Sequence, residues 1–149
     1  MTHPVRLRLS RARGFDLQAH SRATNGLACV NVARPTKWGN PFKIGAPSGY
    51  MFNDGGDPTP MIAALSREQC LEFYTDMISG LLSPEMHPAG HNHIARWRKI
   101  MGPHFLMREA AVSYLRGRNL ACACALDAPC HADVLLEIAN RPICEDIHD

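Results

Sequence analysis

Alternating hydrophobic and polar positions open the chain. Residues 5–9 read Val-Arg-Leu-Arg-Leu, and this period of two predicts a half-buried strand. Residues 28–32 read Ala-Cys-Val-Asn-Val, a short run that predicts a second strand. The stretch between them, 10–27, is polar and mixed, with expected turns at Gly14 and Gly26.

Helical spacing dominates the second half of the chain. Ser66 and Gln69 fit a capping box, which starts a helix predicted over about 67–82. A strand of small residues is predicted at 119–124. Three further helices are predicted at about 94–101, 105–115 and 131–140.

The succession of helix, strand and helix near the C-terminus favours an α/β arrangement, a small layered sheet with flanking helices. The 149 residues fit one domain, predicted over 1–149. Hydrophobic residues make up 46% of the chain, which is enough for a packed core.

Glycine and proline are concentrated between residues 34 and 60, so we expect no regular element there. The first part of this segment is interpreted as a binding loop, and residues 48–60 are expected to be a mobile excursion. A second loop is predicted at 84–93, where three histidines are expected to face solvent. These are His87, His91 and His93.

The charges are nearly balanced, with 16 Lys and Arg against 14 Asp and Glu and a formal net charge of +2. This argues against a large basic face and leaves nucleic-acid binding undecided. Arg6 and Arg8 are expected on the solvent face of the first strand. No apolar run reaches the roughly 18 residues of a membrane span, and residues 1–18 lack the apolar stretch of a secretory signal. We therefore expect a cytoplasmic protein without a membrane partner.

Three of the six cysteines form a cluster near the C-terminus. Cys122, Cys124 and Cys130 lie within nine residues, and His131 follows directly. On a strand, the period of two puts the first two thiols on one face. Cys130 begins the last predicted helix, where unpaired N–H groups and the helix dipole stabilise a thiolate. The site is expected beyond the carboxyl end of a strand, where open α/β sheets place ligands.

Three interpretations of this cluster stay open. Three thiols and an imidazole could bind zinc, with Cys122, Cys124, Cys130 and His131 as the ligand set. Alternatively, Cys130 is a nucleophile or an anion-binding thiolate, in a catalytic group where Asp133 orients His131 or accepts a proton. The third interpretation is that small buried cysteines pack a tight strand. That packing role is also expected of Cys29, Cys70 and Cys144.

The segment 34–42, which we call the GNPF loop, reads Arg-Pro-Thr-Lys-Trp-Gly-Asn-Pro-Phe and follows a predicted strand. Its two cations could hold phosphate or carboxylate, its indole could stack on a base, and its amide could bind a polar ligand edge. The alternative is a rigid turn whose aromatic residues pin it to the core. The candidate ligand-binding residues are Arg34, Thr36, Lys37, Trp38 and Asn40.

Two segments together resemble the bacterial and phage family catalogued as domain of unknown function 4326. The first segment, 30–42, ends in the Gly-Asn-Pro-Phe run, and the second, 115–140, holds the cysteine cluster and its histidine before an apolar helix. Ala123 stands where the family usually has an aromatic residue. The resemblance covers about residues 28–140 and implies a small α/β protein, without an established reaction.

These observations favour an enzyme that acts on a nucleotide or modified nucleobase. The GNPF loop and the cysteine cluster are expected to meet in one cleft, where the cluster binds zinc or supplies a reactive thiolate. The alternative is a non-catalytic, zinc-stabilised binding module of phage or bacterial origin. An open fourth metal position beside the loop would favour the enzyme, whereas a closed tetrahedral site remote from the loop would favour the module.

Overall fold

The computed structural model describes residues 2–52 and 58–142. Strands and helices follow one another in a mixed α/β order. The elements are β1 (Arg6–Arg8), α1 (Leu17–Asn25), β2 (Cys29–Asn31), β3 (Ser48–Phe52), β4 (Pro58–Ile62), α2 (Arg67–Ile78), α3 (Pro88–Met101), α4 (Met107–Leu115), β5 (Asn119–Cys122) and α5 (His131–Ala139).

A three-stranded parallel sheet lies at the centre of the fold, in the order β1-β5-β2. Leu120 of β5 pairs with Arg6 on one side and with Val30 on the other. All four residues of β5 are buried, as expected for a central strand covered on both faces. Because the three strands are parallel, their carboxyl ends meet at one edge of the sheet. This confirms the predicted α/β class.

The core forms where α5 packs on the sheet and α2 packs against α5. Tyr74 of α2, Leu120 of β5 and Leu135 of α5 are fully buried and belong to one hydrophobic cluster. The predicted capping box is confirmed, since the Ser66 side chain accepts from the Gln69 N–H and the Gln69 side chain accepts from the Ser66 N–H. The helix ends at Ile78, four residues earlier than predicted.

Helix α1 lies in the polar stretch for which the sequence indicated only turns. The Asp16 side chain caps it by accepting from the Ala19 N–H at 3.1 Å, and Gly26 ends it with a φ of +81°. Only Ser21 of this helix is buried, so the sequence shows no hydrophobic stripe. The helix is tied to the sheet by polar contacts, because buried Asn119 donates to Ser21 Oγ at 2.8 Å and to Asn25 Oδ1 at 2.7 Å.

Strands β3 and β4 correct the expectation that residues 34–60 contain no regular element. They pair antiparallel, with Ser48 opposite Ile62 and Phe52 opposite Pro58. Pro58 and Pro60 are tolerated because, within the described residues, this sheet has only two strands, and each of them is therefore an edge strand. The expected mobile excursion is thus partly a hairpin, and its tip at 53–57 lies outside the described residues.

The predicted histidine loop at 84–93 is also wrong, because α3 already begins at Pro88 and carries His91 and His93. His87 precedes the helix and is only 7% exposed. Its Nδ1 accepts from the Ser83 N–H at 3.1 Å, and its ring lies edge-on to Phe73 with centroids 4.6 Å apart. None of the helices in 2–52 and 58–142 is both long and apolar enough to cross a membrane.

Candidate functional site

The end of β5 brings the three clustered cysteines together. Cys122 is the last residue of this strand, Cys124 follows in the turn, and Cys130 precedes the first residue of α5. The Cys122 and Cys124 sulfurs lie 3.8 Å apart, and all three sulfurs lie within 4.8 Å of one another. Because Cys124 lies beyond the strand, the thiols converge through the turn rather than through strand alternation alone.

Cys130 caps helix α5 with its sulfur. Its Sγ accepts from the Ala132 N–H at 3.5 Å, and Asp133 Oδ2 accepts from the Cys130 N–H at 3.2 Å. This is a capping box in which a thiol takes the place of the usual hydroxyl. Asp133 therefore fixes the start of the helix and the position of the Cys130 sulfur.

Arg6 holds the turn that links Cys124 to Cys130. Its Nη2 donates to the carbonyl oxygens of Ala125, Leu126 and Ala128 at 3.3, 2.6 and 2.9 Å. Its Nε lies 3.3 Å from Asp133 Oδ1, and its side chain is only 8% exposed. The prediction that Arg6 faces solvent is wrong, because α5 and the turn cover this strand position; Arg8 is exposed as predicted.

The cluster favours one thiolate on Cys130. A hydrogen bond from Cys122 lowers the pKa of the Cys130 thiol to about 3, aided by His131 and the Ala132 N–H and opposed by burial. The same hydrogen bond raises the pKa of Cys122, and burial adds to this effect. Burial also raises the pKa of Cys124. In the metal-free protein, two thiols thus support one negative charge.

His131 stands behind Cys130 rather than among the three sulfurs. Its Nε2 lies 2.7 Å from the Val32 carbonyl oxygen and therefore carries a proton that it donates. Its Nδ1 lies 3.6 Å from Cys130 Sγ. The ring is 6% exposed and lies edge-on to Tyr74. The potential ligand atoms that converge are the three sulfurs without the imidazole, so His131 is a hydrogen-bond partner of Cys130 in this structure.

The sulfur spacing fits a metal ion. Tetrahedral zinc with Zn–S bonds near 2.3 Å sets two sulfur ligands about 3.8 Å apart, and the Cys122–Cys124 distance is 3.8 Å. The three cysteines could therefore hold a metal ion with little movement. Within the described parts of the chain, no fourth His, Cys, Asp or Glu joins this group.

The GNPF loop and the cysteine cluster line one cavity of about 540 Å³. The loop follows β2 and the cluster follows β5, and these parallel strands are neighbours. The prediction that both motifs meet in a single cleft is thereby confirmed. The lining residues of this cavity, which we call the cysteine pocket, include Ala33, Arg34, Asn40, Phe42, Lys43, Ile44, Arg67, Cys70, Leu71, Cys122, Cys124, Cys130 and His131.

The GNPF loop is held rigidly by its own side chains. Asn40 accepts from the Phe42 N–H at 2.8 Å and donates to the Cys70 carbonyl at 3.3 Å, so its amide is occupied within the protein. Arg34 donates from Nε to the Asn40 carbonyl at 2.6 Å and from Nη2 to the Phe42 carbonyl at 3.2 Å. Arg34 remains exposed and lines the cysteine pocket. Asn40 thus shapes the pocket wall.

Three predicted ligand-binding residues do not line the cysteine pocket. Trp38 is 3% exposed, and its carbonyl accepts from the Tyr74 hydroxyl at 2.5 Å. The predicted stacking of this indole on a base is therefore replaced by packing in the core. The Thr36 hydroxyl donates to the Ala33 carbonyl at 2.7 Å, and Lys37 lies with Nζ 5.0 Å from the Trp38 ring centroid.

Two pocket cations were missed by the sequence reasoning. Lys43 follows the GNPF loop, and Arg67 is the first residue of α2; both are exposed side chains on the pocket wall. With Arg34 they make three cations, and no carboxylate is among the pocket-lining residues of the described chain. No local motif marks Arg67, because only the tertiary fold brings α2 to the turn before α5. The electrostatic character of the pocket favours an anionic ligand.

Two of the other cysteines are buried, as expected of packing residues. Cys29 and Cys70 are buried and free. Burial raises the pKa of Cys29 to about 11 and also raises that of Cys70. Cys144 lies outside the described residues.

The chain was compared with protein-family models, curated proteins and solved structures. No curated protein and no solved structure matched the chain. A family model described as domain of unknown function (DUF4326) matches residues 16–141. This span contains the GNPF loop, the cysteine cluster and most of the sheet, and it extends the resemblance seen in the two motifs to α1. The chain, with its three converging thiols and shared pocket, is therefore a member of the DUF4326 family.

Proposed function

We propose that the cysteine pocket is the active site of an enzyme acting on a nucleotide or a related phosphate-bearing small molecule. One observation carries the proposal: three converging thiols and three cations line the same cavity of about 540 Å³. Small-molecule sites combine apolar walls with a few converging polar groups in a cavity of this size. Packing cysteines alone would not require a cationic cavity beside them.

The cysteine pocket has cationic residues for an anionic group of the ligand and apolar residues for a ring. Arg34, Lys43 and Arg67 bind the anionic group, with guanidinium groups suited to phosphate oxygens. Ile44, which is exposed, and Leu71, which is half-buried, offer apolar surface for a ring of the ligand. Because two N–H groups of Arg34 already bind loop carbonyls, this side chain is preorganised for the contact.

Cys122, Cys124 and Cys130 would hold zinc through three thiolates. Three protein ligands plus one open position are typical of catalytic zinc, which supplies an activated water or polarises a bound oxygen. In the metal-free protein, Cys130 itself supplies the thiolate as a nucleophile. His131 lies with its Nδ1 3.6 Å from Cys130 Sγ, and the Val32 carbonyl fixes its ring.

Asp133 acts on the reaction through Cys130 and not as a proton acceptor. Its Oδ2 accepts from the Cys130 N–H, and its Oδ1 faces the Arg6 guanidinium. We therefore assign Asp133 as a positioning residue. The free cysteines of the described chain suit a reducing compartment, which supports the proposed cytoplasmic location.

The test measures zinc and ligand on the same protein. Elemental analysis of protein purified without chelator or metal-binding tag should give one zinc per chain. Cys124→Ser should weaken zinc binding by roughly tenfold or more, whereas Cys70→Ser, which alters another thiol of the same pocket, should leave it unchanged. A metal-free, fully folded protein with reduced thiols would leave the thiolate enzyme as the proposal.

Binding of adenosine monophosphate separates the enzyme from the alternative. Calorimetric titration should show binding that Arg67→Gln weakens by about fivefold, whereas Arg118→Gln, an exposed cation outside the pocket, should not. One zinc per chain without any binding of adenosine monophosphate or inorganic phosphate would favour the zinc-stabilised binding module. Equal weakening by both variants would show that the pocket is not the ligand site.

A further inference from the structure

A second cavity adjoins the cysteine pocket. It has a volume of about 230 Å³ and lies between the GNPF loop and helix α3. Arg34, Asn40 and Lys43 line both cavities, so these three residues form the shared wall. The additional lining residues are Pro35, Thr36, Gly39, Pro41, His93 and Arg96.

The second cavity is cationic like the first. Arg34, Lys43 and Arg96 line it, and no carboxylate is among its lining residues in the described chain. His93 and Arg96 are three residues apart on α3 and therefore share a helix face. The His93 Nε2 lies 2.8 Å from the Lys37 carbonyl oxygen, which fixes the ring against the GNPF loop.

Four cationic side chains line the two cavities together; Arg67 lines only the cysteine pocket and Arg96 only the second cavity. A phosphate in the cysteine pocket can contact the cations that line that pocket. Arg96 does not line that pocket and would have no contact with this phosphate. Burial lowers the pKa of His93, which makes this ring a neutral hydrogen-bonding group at pH 7. Charge in the second cavity thus comes from Arg96 and the two shared cations.

We infer that the second cavity is a subsite for a second phosphate, and that the substrate is a nucleotide with two separated phosphate groups, such as a dinucleotide. This inference rests on the proposed function, because it takes the cysteine pocket as the site of the first phosphate. In this arrangement Arg67 binds the phosphate near the cysteine cluster and Arg96 binds the distant one. Arg34 and Lys43, which line both cavities, can contact either phosphate.

Two probes test the subsite, adenosine monophosphate and the phosphorylated dinucleotide pApA. Both are titrated into the full chain by calorimetry at one fixed salt concentration, because contacts with phosphate depend on salt. The dinucleotide should bind about fivefold more tightly or better, as expected for one added exposed contact between a cation and a phosphate. Arg96→Gln should remove this advantage and leave the affinity for adenosine monophosphate unchanged.

Lys99→Gln is the matched control, because Lys99 is an exposed cation of the same helix that lines neither cavity. It should change neither affinity. The inference is overturned if the dinucleotide binds no more tightly than adenosine monophosphate, or if Arg96→Gln and Lys99→Gln weaken both probes equally. Binding of adenosine monophosphate that depends on Arg67, with no gain for the dinucleotide, defeats the subsite alone. Absence of binding by either probe defeats the proposed function as well.

Discussion

Replacing Arg6 with methionine should loosen the turn that carries the cysteine cluster. Methionine keeps an unbranched side chain at the buried strand position but removes the guanidinium. The three carbonyls of the turn, at Ala125, Leu126 and Ala128, then lose their donor. Asp133 loses its cationic neighbour at the same time.

The size of the effect follows from these contacts. A hydrogen bond to a charged group stabilises a protein by about 1.5–3 kcal/mol, but the turn carbonyls can bind water once the arginine is gone. The ion pair with Asp133 adds at most about 1 kcal/mol, since this carboxylate side chain is 52% exposed. Arg6 also has an unfavourable contribution in the native protein. Its Nη1 is buried without a partner in the described chain, which costs about 1–3 kcal/mol. Because the two hydrogens of Nη2 make two such bonds at most, the net loss of unfolding free energy should be about 3 kcal/mol.

Thermal denaturation followed by circular dichroism measures this loss. For a chain of this length, about 3 kcal/mol corresponds to a decrease in Tm of roughly 6–12 °C. Arg8→Met is the control, because Arg8 is an exposed residue of the same strand. Zinc titration against a competing chelator should also show weaker binding for Arg6→Met alone. Equal Tm values for the two variants would refute the assignment of Arg6 as the residue that holds the turn.

Three further changes probe the thiols and the core. In metal-free protein at pH 6, iodoacetamide should modify Cys130 faster than Cys70, because the pKa of Cys130 is lowered to about 3 while burial raises that of Cys70; equal rates by mass spectrometry would contradict the single thiolate. Tyr74→Phe should lower the unfolding free energy by about 1 kcal/mol in urea, since it removes the donor to the Trp38 carbonyl, and unchanged stability would show that this bond contributes nothing. Asn119→Ala should cost about 3 kcal/mol, because it removes four hydrogen bonds of a fully buried amide; a loss below about 1 kcal/mol would contradict its role in attaching α1.

The sequence predicts those strands and helices that have a regular hydrophobic spacing or a capping motif. The alternation around Leu7 predicts β1, and the Ser66 capping box predicts the start of α2. Helix α1 has a single buried residue, Ser21, so its attachment through Asn119 has no hydrophobic signature in the sequence. Hairpin β3–β4 consists of segments rich in glycine and proline, and such composition is typical of loops.

The candidate site was predictable only in part. The spacing of Cys122, Cys124 and Cys130 predicts their convergence, because strand and helix ends are local features. The partners of these thiols come from elsewhere: Arg6 lies 116 positions before Cys122 in the sequence numbering, and Arg67 reaches the pocket from α2. Alternation assigned Arg6 to solvent because it cannot show that α5 covers one end of the strand.

The central claim is that Cys122, Cys124 and Cys130 hold a metal with one position open to the cysteine pocket. X-ray absorption at the zinc edge, on full-length protein loaded with one zinc per chain, tests it most directly. The account predicts three sulfur ligands at about 2.3 Å and one oxygen ligand, with the oxygen signal altered when adenosine monophosphate is added. Scattering from a coordinated imidazole would contradict the account, because it would place His131 in the fourth position and close the site. Failure of the folded, reduced protein to bind zinc would also contradict it.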